Sequence, residues 1–202
     1  DTMIQEFITI RKGKVDESQA DEILLDVNYV GVMLVQLGLA EGIVSGAIHS
    51  TADTVRPALQ IIKTKPGVKR TSGVFLMVKD QHKFVFGDCA INIEPDAETL
   101  AEIAIQSAET AKTFGIDPKV AMLSYSTKGS GAGPKVDKVV EATKIAQKLR
   151  PELDLDGELQ FDAAFVPTTG KLKAPGSKVA GQATVFIFPG ISAGNIGYKI
   201  AE

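Results

Sequence analysis

A chain of 202 residues, 44% hydrophobic and 23% charged, has the balance of a globular protein that can hold one large α/β domain or one and a half ordinary ones. A formal net charge of −3 gives no bulk attraction for nucleic acid or an anionic membrane, and apolar runs such as TVFIF at 184–188 are far too short to span a bilayer. The one cysteine, Cys89, excludes an internal disulfide and fits a reducing compartment.

In chain order, residues 1–11 (DTMIQEFITIR) run into ordinary sequence without an initiator methionine or a charged-then-apolar leader. From Asp16 the pattern turns helical: Ser18 with Asp21 and Glu22 resembles a capping arrangement, Ile23, Val27, Val30 and Leu34 recur at helical spacing, and Gly38 is a natural stop. GIVSGAI at 42–48 predicts a buried strand, and DTVRPALQIIK at 53–63 a helix with Pro57 in its first turn. KTKPGVKR at 63–70, four basic residues with a proline and a glycine, marks a domain boundary. GVFLMV and KFVFGD, joined by KDQHK, predict a hairpin with His82 at its tip. Residues 96–114 predict a helix whose alanines (97, 101, 104, 108 and 111) permit close packing on a sheet, and Gly115 ends it.

Three strand–helix units complete the chain. VAMLSYS leads through TKGSGAG into the helix PKVDKVVEATKIAQKL; the acidic stretch PELDLDGELQFD, running into AAFVP, is expected to carry another strand; ATVFIFP leads into the helix SAGNIGYKIAE. That last helix has no terminator, so the chain reads as part of a longer protein. Strands alternating with helices, several of them continuous apolar runs, argue for an α/β fold with a mainly parallel sheet covered on both faces.

Three loops could carry chemistry. HSTADTVR at 49–56 opens a predicted helix where a predicted strand ends, the position at which α/β sheets bind ligands and helix N-termini favour anions. Ser50, Thr51 and Thr54 offer hydroxyls, and Arg56 offers a planar fork for phosphate or carboxylate oxygens. An equally open alternative is a helix N-cap from Ser50, Thr51 or Asp53 beside a surface arginine, with His49 structural. SYSTKGSGAGP at 124–134 supplies Ser126, Thr127, Lys128 and Ser130 in a setting that suits a phosphate. It is neither a Walker loop nor a dinucleotide fingerprint, and a flexible loop is the simpler reading of the motif alone. FPGISAGNIGYK at 188–199 brings Asn195, with Gly194 and Gly197 read as close-packing residues. Cys89 reads as a small core residue, and Asp88 and Asn92 as caps for the helix near Pro95 or as a cleft lining. No Cys/His/Asp/Glu set has metal-ligand spacing.

Taken together, SGAIHSTADTVRPALQIIK, FGDCAINIEPDAETLAEIA, MLSYSTKGSGAGPKVDKVVEA, PGSKVAGQATVFIFP and AGNIGYK resemble, in order and spacing, the phosphate acetyltransferases. The resemblance covers essentially the whole chain. It implies acetyl transfer between acetyl phosphate and coenzyme A, with acetyl-CoA and phosphate on the other side of the reaction and no permanently bound cofactor or metal. It also implies a three-layer α/β/α architecture similar to isocitrate and isopropylmalate dehydrogenases, with an active site in a two-domain cleft and a cytoplasmic homodimer. Residues 1–66 would then belong to the C-proximal part of the first domain and 67–202 to most of the second. Carried over by block, Arg56 matches the phosphoryl-binding arginine, with Ser50 as catalytic neighbour; His49, Thr51, Thr54, Ser126, Thr127, Lys128, Ser130 and Asn195 are expected to bind substrate. Two alternatives remain open: an acetyl-CoA-sensing, non-catalytic transacetylase-like domain, as in some malic enzymes, and a phosphate butyryltransferase. Family members carry a Ser-Arg pair and an aspartate after the AGNIGYK block, and the chain stops at Glu202 before such a segment; an arginine from the N-terminal part of the first domain is expected to be missing too. The purified 202-residue chain is therefore expected to form no acetyl-CoA from acetyl phosphate and CoA, and thioester formation above the uncatalysed rate would overturn that expectation.

Overall fold

Residues 2–202 are described in a computed structural model, and the chain divides between Lys69 and Arg70, inside the basic 63–70 segment, into two units. Among its described residues the first unit has only helices: α1 (Thr2–Arg11), α2 (Glu17–Ile23), α3 (Val27–Gln36) and α4 (Thr51–Ile61). The single helix predicted from Asp16 is in fact α2 and α3. Asp16, rather than the Ser18 arrangement, opens α2 through a capping box: its carboxylate accepts the Gln19 N–H at 2.9 Å, and the Gln19 side chain accepts the Asp16 N–H at 3.1 Å. Asp26 then starts α3 by accepting the N–H groups of Asn28 and Tyr29 at 2.8 and 3.2 Å. An N-cap contributes about 1 kcal/mol, enough for a second aspartate to favour a fresh start over a continuous helix. Gly38 ends α3 with φ +70°, as its position predicts. Phe7, Ala20, Val32, Met33 and Ile61 form this unit's core, and Phe7 meets Tyr29 edge to face with centroids 6.0 Å apart.

Residues 42–48 are not a strand. The segment has no ladder, and Val44 and Ile48 are 103% and 89% exposed. An extended segment becomes a strand only beside a neighbour that takes its N–H and C=O groups, and no strand is described in residues 2–69. Helix α4 starts at Thr51, two residues earlier than predicted, so Pro57 lies in its interior and not its first turn. There it buries its ring and leaves the Asp53 carbonyl without an intrahelical donor.

The second unit contains β1 (Val74–Lys79), β2 (His82–Gly87), α5 (Ala97–Thr113), β3 (Lys119–Leu123), α6 (Pro134–Leu149), β4 (Asp154–Leu159), α7 (Phe161–Phe165), α8 (Pro167–Lys173), β5 (Val185–Ile187) and α9 (Ile191–Ala201). Strands β1 and β2 form the predicted hairpin, but Lys79 pairs with His82, so Asp80 and Gln81 make the tip and His82 begins β2. The sheet order is β1-β2-β5-β3-β4; β1–β2 is antiparallel and the other three pairings are parallel. The strand expected in the acidic stretch is β4, and AAFVP after it falls mostly in α7. On one face, Val85, Val120, Met122, Leu155, Val185 and Ile187 pack against Leu100, Ile103 and the alanines of α5 and against Val139, Ala142 and Ala146 of α6. On the other, Phe86, Ala121, Leu123, Leu159 and Phe186 pack against Ala164, Ala174, Val179 and Tyr198. This is the three-layer α/β arrangement that the sequence predicts.

Leu100 and Ile103 are 1% and 2% exposed between α5 and the sheet. Truncating either to Ala is expected to lower stability by about 2–5 kcal/mol in urea denaturation. Val44→Ser in the same chain should change it by no more than about 0.5 kcal/mol, which a buried 42–48 strand would not permit.

Candidate functional site

Helices α6 and α9 leave the carboxyl ends of adjacent parallel strands, β3 and β5, toward opposite faces of the sheet. That departure opens a crevice at the position where such folds bind ligands. The crevice encloses about 390 Å³ and is lined by Ser124 and Tyr125 after β3, Lys135 and Lys138 of α6, Pro189, Gly190, Ser192 and Ala193 at the start of α9, and Glu94. No side chain caps α6 or α9, whose N-cap residues are Gly133 and Gly190. No capping side chain therefore meets the partial positive charge at either helix start; at α9 the Ile191 N–H donates to the Ile93 carbonyl at 3.0 Å, which leaves the N–H groups of Ser192 and Ala193 for a ligand. Lys138, 17% exposed, donates to the Pro189 carbonyl at 2.8 Å and pairs with Glu94 at 3.5 Å, tying α6 to the β5–α9 loop. Two lysines, two uncapped helix starts and a serine hydroxyl against one carboxylate suit an anionic ligand of the crevice's size.

Helix α9 reaches this position because Gly194 lets it touch the turn after β2. A Cβ there would sit 2.9 Å from the Asp88 carbonyl oxygen and 3.0 Å from the Cys89 Cα. This is the close-packing role its position predicts. Asp88 does not cap the helix near Pro95; Asp96 does, accepting the Thr99 N–H at 2.8 Å. Asp88 instead closes its own turn, accepting the N–H groups of Ala90, Ile91 and Asn92 and the Asn92 side-chain amide at 2.7–3.1 Å.

The sequence-predicted residues fall into three groups. In the 124–134 loop, Ser126 and Thr127 are buried. The Ser126 hydroxyl donates to Glu158 at 2.9 Å, and the Thr127 hydroxyl accepts the Gln160 N–H at 2.9 Å. Lys128 pairs with Asp156 and donates to the Gly157 carbonyl at 2.8 Å, while the Ser130 hydroxyl accepts the Thr127 N–H at 2.9 Å. The loop is thus pinned to β4 instead of flexible, and these polar groups already have internal partners. Asn195 is half-buried on α9 outside the crevice lining, whereas Ser192, three residues earlier, is within it. In the other unit, Ser50 caps α4: its hydroxyl accepts the Asp53 N–H at 3.1 Å and donates to the Asp53 carboxylate at 2.6 Å. The Thr54 hydroxyl donates to the Ser50 carbonyl at 3.0 Å, Thr51 is exposed and His49 is partly buried. Arg56 lies 3.7 Å from Asp53 with its side chain 57% exposed, so the 49–56 block combines a capped helix start with an outward guanidinium.

Lys135, Lys138, Ser192 and Glu94 escaped the sequence reading. The signal available for the lysines was their i, i+3 spacing in the first turns of a helix that follows a parallel strand. A larger hollow, about 580 Å³, lies beside the hairpin and is dominated by Phe75, Phe84, Phe86, Phe161, Phe165 and Tyr198. Its aromatic lining suits apolar contact and not phosphate. Among the described residues no three His, Cys, Asp or Glu side chains are placed to hold a metal, and no helix is long and apolar enough to cross a membrane.

A parallel-sheet fold with an anion-suited crevice at its carboxyl edge defines a class of α/β ligand-binding proteins, and comparison with known proteins narrows it. Residues 1–202 match the phosphate acetyl/butaryl transferase family, to which this chain belongs. It is 63% identical over 200 residues to a phosphate acetyltransferase of Bacillus subtilis (strain 168), covering 99% of this chain and 62% of that protein. Two relatives of solved structure superpose closely: a phosphotransacetylase from Streptococcus pyogenes (TM-score 0.92, 67% identity, 100% of this chain and 62% of the other) and one from Staphylococcus aureus (TM-score 0.89, 60% identity, 99% and 62%). The chain thus spans about 62% of the length of these relatives.

Cys89, wholly buried beneath α9, has its thiol pushed up to about 12, chiefly by burial and secondarily by the neighbouring Asp88 charge. At pH 8 such a thiol is ionised to roughly one part in 10⁴. A chromogenic disulfide reagent is expected to leave Cys89 unmodified in the native chain at pH 8 and to titrate one thiol after unfolding; rapid native reaction would contradict the placement.

Proposed function

We propose that the full-length protein transfers an acetyl group between acetyl phosphate and coenzyme A. The observation that carries this reading is the family match over all 202 residues, with 60–67% identity to phosphate acetyltransferases and phosphotransacetylases. The crevice supplies chemistry consistent with it. In the forward step the CoA sulfur bonds to the acetyl carbonyl carbon, the bond from that carbon to the phosphate oxygen breaks, and phosphate leaves with the bonding pair. The thiol proton passes to a base or to solvent. The step needs cations for the phosphoryl group and donors for the carbonyl oxygen as it becomes negative. Lys135, Lys138 and the Ser192 and Ala193 N–H groups in the first turn of α9 meet the first need for an anion in the crevice, and the Ser192 hydroxyl offers a donor for the second. Arg56 with Ser50, Thr51 and Thr54, and His49 beside them, is proposed as a phosphoryl-binding block. Lys128, Ser130, Thr127 and Asn195 are proposed as residues of the second unit that border the substrate or hold its loop. The two units would represent parts of two domains of the longer protein, and a cytoplasmic homodimer belongs to the same reading, the dimer being open to test by sedimentation equilibrium.

In the full-length protein, thioester formation from acetyl phosphate and CoA is expected, and its absence would overturn the activity. Lys138→Ala should raise KM for the anionic substrate it meets by about 10-fold or more, the size of a lost charge-assisted hydrogen bond, with folding retained by circular dichroism. Arg56→Ala should do the same for acetyl phosphate. Unchanged kinetics would remove the residue concerned from the site.

A further inference from the structure

A carboxyl group buried at a strand end is costly unless its oxygens are hydrogen-bonded, and Glu158, in β4 and 4% exposed, spends its bonds on a single loop. Its Oε1 accepts the Ser126 hydroxyl at 2.9 Å and the Gly129 N–H at 2.7 Å, and its backbone carbonyl accepts the Lys128 N–H at 3.3 Å. Ser126, completely buried, passes the restraint on: its Oγ accepts the Gly131 N–H at 2.9 Å. Three N–H groups of the β3–α6 loop therefore end on this pair. The same loop contains Tyr125, which lines the crevice and donates to the Ala132 carbonyl at 2.9 Å, and it runs directly into Pro134 and the crevice lysines of α6.

We propose that Glu158 and Ser126 are a positioning pair that fixes the β3–α6 loop, and with it Tyr125 and the start of α6, for ligand binding, Ser126 acting through the loop and not by touching substrate. The kinetic part of this proposal rests on the acyl-transfer reading; its structural part does not. The test uses the full-length protein with Ser126→Ala, Glu158→Ala and the double variant, and Glu158→Gln as the conservative variant whose Oε1 keeps an acceptor in place. Each Ala variant is expected to raise KM for CoA about 10-fold with kcat little changed, the double variant to add almost nothing to either single loss, and Glu158→Gln to recover most of the wild-type KM. Amide exchange read by NMR should speed up at least 10-fold at Gly131 in both Ala variants and at Gly129 in Glu158→Ala. Losses that add in the double variant, or unchanged exchange at Gly131, would overturn the pair and return Ser126 to direct substrate contact. If the wild-type protein forms no acetyl-CoA, the activity reading falls and the exchange measurement still decides the proposal. If Glu158→Ala fails to fold, Ser126→Ala and Glu158→Gln carry the same comparison at Gly131.

Discussion

Strand β5 is three residues long, and the second unit is organised around it. Val185 pairs with Val85 on one side and Val120 on the other, and Phe186 and Ile187 continue both ladders. All three side chains are buried, with Val185 and Ile187 turned toward α5 and α6 and Phe186 turned to the opposite face. A parallel strand covered on both faces must be apolar throughout, which is why so short a run can join the hairpin to the β3–β4 pair. Its end at Ile187, level with Met122 in the ladder, is what brings the loops after β5 and β3 to one edge.

The crevice inherits its geometry from that seam. Lys138 spans it by donating to the Pro189 carbonyl, so one cation both closes the gap between α6 and the β5–α9 loop and charges it. On the α9 side, the fit of Gly194 on the Asp88–Cys89 turn fixes where the helix begins. On the α6 side, the loop from β3 is fastened to β4 by the hydrogen bonds of Ser126 and Gly129 to Glu158. Rigid elements thus aim the uncapped helix starts, and little of the aiming falls to mobile loops.

Much of this was legible in the sequence because local and long-range preferences agree there. The alanine stripe of α5, its Asp96 start and its Gly115 stop lie within a residue of the prediction. So do the limits of α6. The failures arise where a local pattern depends on a distant partner. GIVSGAI is apolar enough for a buried strand, yet pairing decides strands, and no ladder forms beside it. The strand in the acidic stretch is legible despite its charge: Asp154, Leu155 and Asp156 alternate with only Leu155 buried, the period of a half-covered strand. The crevice is half legible, since FPGISAGNIGYK carries one of its walls, but the polar residue that the stretch points to is Asn195, whereas Ser192 lines the crevice. The lysines opposite become visible only once β3 and β5 are known to be neighbours.

The crevice has its proposed role only if the anionic ligand enters between β3 and β5. A crystal structure of the full-length protein with coenzyme A bound tests it most directly. The expected result is a phosphate or the reactive end of the ligand within hydrogen-bonding distance of Lys135, Lys138 or the N–H groups of Ser192 and Ala193 in the first turn of α9. Coenzyme A seated instead in the aromatic hollow beside Phe75 and Tyr198, with the crevice empty, would contradict it.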